Sequence, residues 1–164
     1  MAAQAEQIEG IDFALAVYRE EGVWQVEELA HDRLTDVETL AAALRRFPSD
    51  GGAVGLVAME EEFFIACRVI GSAVRVLLSD VTAVEIWELA ESVLEHLGLP
   101  DPEDDDEAAP VGDLGIFADA GFSAIEMGML LDDDDFYADM ALSEVAERMG
   151  FGDLFDEAVG LEVE

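Results

Sequence analysis

The feature that most constrains the fold is a series of three strand-like apolar runs joined by very short connections. The runs cover Ala53–Met59, Phe63–Ile70 and Ala73–Leu78. Residues 60–62 and 71–72 are all that separates them. A crossover between parallel strands needs about a dozen residues or more. The three runs are therefore predicted to be antiparallel strands that pair with one another.

The preceding residues predict a hairpin followed by a helix. Strand-like runs at 11–19 and 23–29 are separated by Glu-Glu-Gly, a turn signal. Thr35 and Glu38 have the spacing of a capping box at the start of the helix, and Pro48 ends it. One face of this helix carries the apolar residues Val37, Leu40, Ala41, Leu44 and Phe47.

A second amphipathic helix is predicted over residues 83–97. Thr82 and Glu85 have the spacing of its capping box, and Gly98 follows its last residue. The element order β-β-α-β-β-β-α indicates an α+β fold in which a five-stranded antiparallel sheet carries both helices on one face. This element order resembles that of roadblock, longin and profilin scaffolds, which mostly serve as protein-binding modules. A roadblock-like sheet would have the strand order 2-1-5-4-3.

Residues 98–110 form a boundary, because they combine three prolines with six acidic residues. Such a segment buries no apolar area, and its charges repel one another into an extended linker. We therefore expect a sheet domain over 1–97, a linker over 98–110 and a small helical part over 111–164. Helices are predicted from Ser123, which forms a capping box with Glu126, and over 136–149, and a last short turn is predicted over 153–159. They are too short to be stable alone, so they must dock on the sheet domain or on a partner.

The charge balance limits the classes of partner. The chain has 40 acidic residues, seven arginines and no lysine, which gives a net charge of −33. Phosphate backbones and anionic lipid surfaces would repel it, so neither direct nucleic-acid binding nor membrane binding is predicted. A protein partner with a basic surface would attract it instead. The first six residues lack a secretory signal, and no apolar run is long enough to span a bilayer, so a cytoplasmic protein is expected.

No constellation of catalytic residues is found in the sequence. A zinc deaminase site needs a Pro-Cys-x-x-Cys segment. This chain has one cysteine, Cys67, and two histidines, His31 and His96, so it cannot form that site. Nucleotide-binding glycine motifs and EF-hand spacing are also missing. Cys67 is interpreted as a buried small hydrophobe and His96 as a surface residue near a helix end. We therefore predict a protein that is not an enzyme, with no catalytic residue, metal site or cofactor.

One stretch has more apolar surface than a small helical part can bury within itself. It runs from Gly115 to Leu131 and is followed by an acidic run. Because Met-rich helical surfaces suit partner binding, the predicted partner-binding residues are Phe117, Phe122, Ile125, Met127, Met129, Leu130, Asp132, Asp133, Asp134 and Asp135. The alternative is that this stretch packs on the open face of the sheet.

Four motifs resemble a known bacterial family. They are F-A-L-A-V-Y-R-E-E-G-x-W at 13–24, R-R-F-P at 45–48, the stretch D-L-G-I-F-A-D-A-G-F-S-A-I-E-M-G-M-L-L-D-D at 113–133, and A-E-R-M-G-F-G at 146–152. With them the chain resembles the tRNA adenosine deaminase-associated proteins, over residues 12–160. The family takes its label from genes that lie beside the deaminase gene, and the resemblance implies no catalytic residues.

Three hypotheses about function follow. The first is a non-enzymatic accessory protein that binds the tRNA adenosine deaminase, or its tRNA-handling machinery, through protein–protein contacts. The second is a homodimeric roadblock-like or longin-like scaffold that regulates a nucleotide-binding switch protein and is unrelated to the deaminase. The third is an enzyme that uses carboxylates in a cleft, which would require a concave pocket with two carboxyl groups of separated pKa.

Overall fold

The computed structural model describes residues 11–29, 36–47, 52–59, 63–71, 73–85, 88–99, 110–118, 121–131 and 138–159. The strands are β1 (Ile11–Glu20), β2 (Val23–Glu28), β3 (Ala53–Met59), β4 (Phe63–Ile70), β5 (Ala73–Leu78) and β6 (Val111–Gly112). The helices are α1 (Val37–Leu44), α2 (Glu88–Leu97), α3 (Ala124–Leu131), α4 (Ala138–Met149) and α5 (Gly152–Val159). A 3₁₀ turn at Val81–Glu85 precedes α2. None of the helices in these ranges combines the length and apolar composition of a membrane span.

The sheet is antiparallel, as the short connections predict. Strands β3, β4 and β5 have the predicted bounds and pair in sequence order. The sheet has six strands rather than the expected five, because β6 pairs with Leu77 and Leu78 of β5. A strand of two residues shows no alternation of apolar and polar positions, so no sequence pattern marks it.

The strand order differs from that of the roadblock scaffold. It is β2-β1-β3-β4-β5-β6, so β1 lies between β2 and β3. In the order 2-1-5-4-3, β1 would pair with β5. Here the chain returns from α1 to the free edge of β1, and each later strand adds to the outer edge of the one before it. The homodimeric roadblock-like or longin-like interpretation therefore loses its structural basis.

Three helix starts differ from prediction. The N-cap of α1 is Asp36, whose Oδ1 accepts a hydrogen bond from the Thr39 amide at 2.7 Å. The predicted cap Thr35 lies outside the described residues. The predicted helix over 83–97 is a 3₁₀ turn followed by α2, which begins at Glu88. The last short turn predicted over 153–159 is the helix α5, which begins at Gly152.

Helix α1 ends at Leu44, before the predicted stop at Pro48. The predicted ends of three other helices are confirmed. Gly98 follows α2 with a φ of 71°, and the Leu99 amide donates to the Leu94 carbonyl at 2.9 Å, which closes the helix. The capping box of α3 is present, since the Glu126 amide donates to Ser123 Oγ at 3.1 Å. Helix α4 ends at Met149, as predicted, whereas residues 136 and 137 of the predicted helix lie outside the described ranges.

Both faces of the sheet are covered. Successive residues of a strand point to opposite faces, and the apolar residues accordingly form two cores. One core joins Ala16, Val57 and Ile65 to α1 and α2, as predicted for a sheet with both helices on one face. The other joins Leu15, Leu56 and Phe64 to apolar side chains of the C-terminal part, among them Phe117, Leu142 and Phe155. The protein is therefore a three-layer structure in which residues after 110 supply one outer layer.

Candidate partner-binding surface

Two arginines attach the sheet to the turn that leads into the C-terminal helices. Arg68 of β4 donates from Nη1 to the Ile116 carbonyl at 2.8 Å. Arg75 of β5 donates from Nε to the Asp113 carboxylate at 2.5 Å and from Nη2 to the Gly115 carbonyl at 3.0 Å. Arg68 is buried, and a buried guanidinium is costly unless its donors have partners. These bonds fix the turn against the sheet.

The start of α3 is attached to the end of α4. Arg148 Nη2 lies 2.5 Å from Glu126 Oε2, and its guanidinium carbon lies 5.7 Å from the centre of the Phe122 ring. The Phe122 amide also donates to the Phe117 carbonyl at 3.1 Å. Together with the Ser123 cap, these contacts hold α3 in one orientation on the core.

The structure separates the predicted partner-binding residues into two groups. The side chains of Phe117, Phe122 and Met127 are buried in the core between the sheet and the C-terminal helices. Leu130 is partly buried against the same core. These four residues pack against the core on the face of the sheet, which was the alternative to partner binding for this stretch. The three buried side chains offer no surface to a partner.

The remaining described residues of that set are exposed. Ile125 is 77% exposed and Met129 is 71% exposed, the two highest values among the large apolar side chains in the described ranges. Gly128 lies between them, and a Cβ at this position would meet no atom within 4 Å. Residues at spacing i, i+3 and i+4 share one side of a helix. Ile125, Gly128 and Met129 therefore form the outer α3 face.

The sequence that follows the outer α3 face is acidic. Glu126, on the helix itself, has its charge offset by Arg148, with which it pairs. The four predicted acidic residues, Asp132 to Asp135, follow Leu131 directly in the sequence and lie outside the described residues. An exposed apolar face followed by acidic residues is complementary to a segment that is apolar and basic.

Cys67 is a core residue, as predicted. Its side chain is completely buried in the core on the α1 and α2 side. Burial raises the pKa of the Cys67 thiol to about 12, although the charge of Arg45 acts in the opposite direction. Since the thiolate is the reactive form of cysteine, this thiol is held in its unreactive, protonated form at neutral pH.

A cleft between α1 and α2 was not predicted. It has a volume of about 250 Å³, and its lining consists of Asp36, Val37, Glu38, Ser92, Glu95 and His96. Ser92 Oγ accepts a hydrogen bond from the Val37 amide at 3.0 Å, and His96 Nε2 lies 3.3 Å from the Val74 carbonyl oxygen. Within the described ranges, no three His, Cys, Asp or Glu side chains are placed to share a metal ion. The cleft is created where two helices that are far apart in the sequence meet, so no local sequence pattern predicts it.

The roles of Arg68 and Arg75 were also not predicted, although the sequence contains a signal for them. Each is the only charged residue of a strand that is otherwise apolar on both faces. A charge in such a strand requires buried partners, and the sheet brings the two arginines to neighbouring positions.

Comparisons with known proteins identify relatives of the sequence. No solved structure matches the chain. Protein Rv3753c of Mycobacterium tuberculosis (strain ATCC 25618 / H37Rv) is 40% identical over 144 residues, which are 86% of this chain and 83% of that protein. The model of the family described as Rv3753c-like tRNA adenosine deaminase-associated protein matches residues 12–152. The chain therefore belongs to the family of Rv3753c-like tRNA adenosine deaminase-associated proteins.

Proposed function

We propose that this protein is a non-enzymatic accessory protein that binds the tRNA adenosine deaminase through protein–protein contacts. The observation that carries the proposal is the family match over residues 12–152. The description of that family names an association with the deaminase and does not name the deaminase reaction itself. The chain would then act on the deaminase and leave the chemistry to it.

The reactive groups of the chain support a role without catalysis. A zinc deaminase holds its metal with one His and two Cys, or with three Cys, and uses a nearby Glu as acid and base. This chain has a single cysteine, Cys67, and it is buried in the core. The one histidine among the described residues, His96, lines a cleft, and no three His, Cys, Asp or Glu side chains of the described residues are placed to share a metal ion.

The charge of the chain supports a basic partner surface. An enzyme that binds tRNA needs basic residues along the path of the phosphates. This chain has a net charge of −33, so it is attracted to the kind of surface that attracts tRNA. Two modes of action are consistent with this attraction: covering the tRNA-binding surface, or holding the deaminase in a competent form beside bound tRNA.

Size-exclusion chromatography with light scattering tests the proposal. The protein is mixed with the tRNA adenosine deaminase of the same genome at about 0.15 M salt, where charges more than about 8 Å apart are largely screened. A complex of defined stoichiometry is expected. An unrelated basic protein of similar size is the control, since purely electrostatic attraction would make it bind equally well. Two unshifted peaks with the deaminase would contradict the proposal.

A second series with tRNA separates the two modes. If the protein covers the tRNA-binding surface, added tRNA displaces it and the complex disappears as tRNA is titrated. If it holds the deaminase in a competent form, a ternary complex of larger mass elutes. Deaminase activity on tRNA, measured at increasing concentrations of this protein, then falls in the first case and is maintained or rises in the second.

A further inference from the structure

We propose that the outer α3 face, formed by Ile125, Gly128 and Met129, binds a basic amphipathic helix of a partner protein. The inference deepens the proposed function, because it names the surface and the chemistry of the segment that occupies it.

The outer α3 face is apolar, exposed and held in place. Ile125 and Met129 are 77% and 71% exposed, whereas Met127 on the opposite side of the helix is buried in the core. The Ser123 cap and the pair between Glu126 and Arg148 hold the start of the helix. A partner would therefore meet a formed helix, and binding would not have to order it first.

The shape of the outer α3 face suits another helix. Ile125 and Met129 are separated by one helical turn, and Gly128 leaves a gap beside them because it has no side chain. Side chains of a partner helix pack into such gaps between ridges. Met129 adapts its unbranched side chain to the surface it meets. An amphipathic helix with apolar residues at i, i+3 and i+4 is complementary to this surface.

The charge of the chain selects a basic partner. Four aspartates follow α3 directly in the sequence, and the chain as a whole carries a net charge of −33. A second copy of this chain also has a net charge of −33 and would be repelled from the same surface. Nucleic acid and anionic lipid are repelled for the same reason. A segment with Lys or Arg beside its apolar residues gains from both the apolar contact and the charge.

The test uses the full chain and a defined probe, a fluorescent amphipathic helical peptide of Leu and Lys. A second peptide with the same Lys content and Ser in place of Leu measures attraction by charge alone. The variant I125S/M129S removes the apolar surface and leaves the charge unchanged. Its matched control, V23S/L154S, removes two other exposed apolar side chains, which are 58% and 40% exposed. Circular dichroism verifies that both variants fold.

Fluorescence anisotropy at about 0.15 M salt gives the affinities. We expect the native chain and V23S/L154S to bind the Leu–Lys peptide equally, and I125S/M129S to bind it at least about tenfold more weakly. Binding of the Ser–Lys peptide should be weak and equal in all three. Equal binding of the Leu–Lys peptide by I125S/M129S, or no binding by the native chain, would overturn the proposal. A dimer of the native chain that dissociates in I125S/M129S would overturn it as well, because a second copy would then be the occupant.

The peptide experiment does not depend on the deaminase. If the deaminase fails to bind while the Leu–Lys peptide binds to the outer α3 face, the proposed function is wrong and this inference stands. If the deaminase binds I125S/M129S as tightly as it binds the native chain, the proposed function stands and the deaminase uses another surface. The latter result would remove the outer α3 face from the interface with the deaminase.

Discussion

Arg68 and Arg75 lie directly opposite each other on β4 and β5, and both guanidinium groups donate to the same turn, residues 113–116. Like charges at opposite positions of an antiparallel pair destabilise a sheet. Here the Asp113 carboxylate and two backbone carbonyls accept from the pair, so the repulsion is offset. Two of the seven positive charges of the chain thereby attach its C-terminal part to the sheet.

Replacement of Arg68 by Met tests this attachment. Arg68→Met removes the donor to the Ile116 carbonyl and leaves that acceptor without this bond, so we expect the free energy of unfolding to fall by about 1–3 kcal/mol. Arg46→Met removes the same charge from an exposed position just after α1. It should change the free energy of unfolding by less than about 0.5 kcal/mol. Urea unfolding gives both values. An equal loss in the two variants would assign the effect to net charge.

Two glycines with opposite surroundings provide a second prediction. Gly112 of β6 has a φ of 109°, and a Cβ there would lie 2.4 Å from the Val76 carbonyl oxygen. Gly112→Ala should therefore destabilise the protein by more than about 1 kcal/mol. A Cβ at Gly128 of α3 would meet no atom within 4 Å, so Gly128→Ala should stabilise by about 0.5–1 kcal/mol. Thermal unfolding distinguishes the two, and a neutral Gly112→Ala would mean that β6 does not lie against β5.

Local sequence information was sufficient for most elements and insufficient for their arrangement. The bounds of β3, β4 and β5 follow from apolar runs with short joints, which are properties of neighbouring residues. The choice of β3 rather than β5 as the partner of β1 depends on contacts between distant parts of the chain. The same is true of the cleft beside His96, where α1 meets α2.

The candidate surface could have been resolved further from the sequence. The apolar surplus of residues 115–131 was recognised, but it does not say which side chains are buried. Helical periodicity separates these side chains into two sides, because Ile125 and Met129 are four residues apart and lie on one side, whereas Met127 is two residues from each and lies on the other. Which side faces the sheet depends on the turn held by Arg68 and Arg75, which only the structure supplies.

The buried thiol of Cys67 should be unreactive in the folded protein. Its pKa is raised to about 12 by burial, so almost none of it is thiolate near neutral pH. We expect no reaction with a thiol-specific disulfide reagent near neutral pH in native buffer, and one thiol per chain to react in urea. Absorbance of the released thiol measures both. Rapid stoichiometric reaction without urea would show that the core around Cys67 opens readily.

The hydrogen bond from Tyr18 to Glu27 should make stability depend on alkaline pH. The hydrogen bond that the phenol donates to the Glu27 carboxylate, together with burial and the charges of Glu27 and Glu20, raises the pKa of Tyr18 from 10.0 to about 12. The folded state therefore holds this proton more tightly than the unfolded chain does, so the contribution to stability is complete below pH 10 and is lost as pH rises toward 12.

Tyr18→Phe keeps the ring that stacks on Phe47, with centroids 4.9 Å apart, and removes the hydroxyl. Because Cys67 is present in both proteins, the difference in unfolding free energy between them isolates Tyr18. That difference should be constant up to about pH 10 and shrink above it, and a difference that persists unchanged to pH 12 would contradict the assignment.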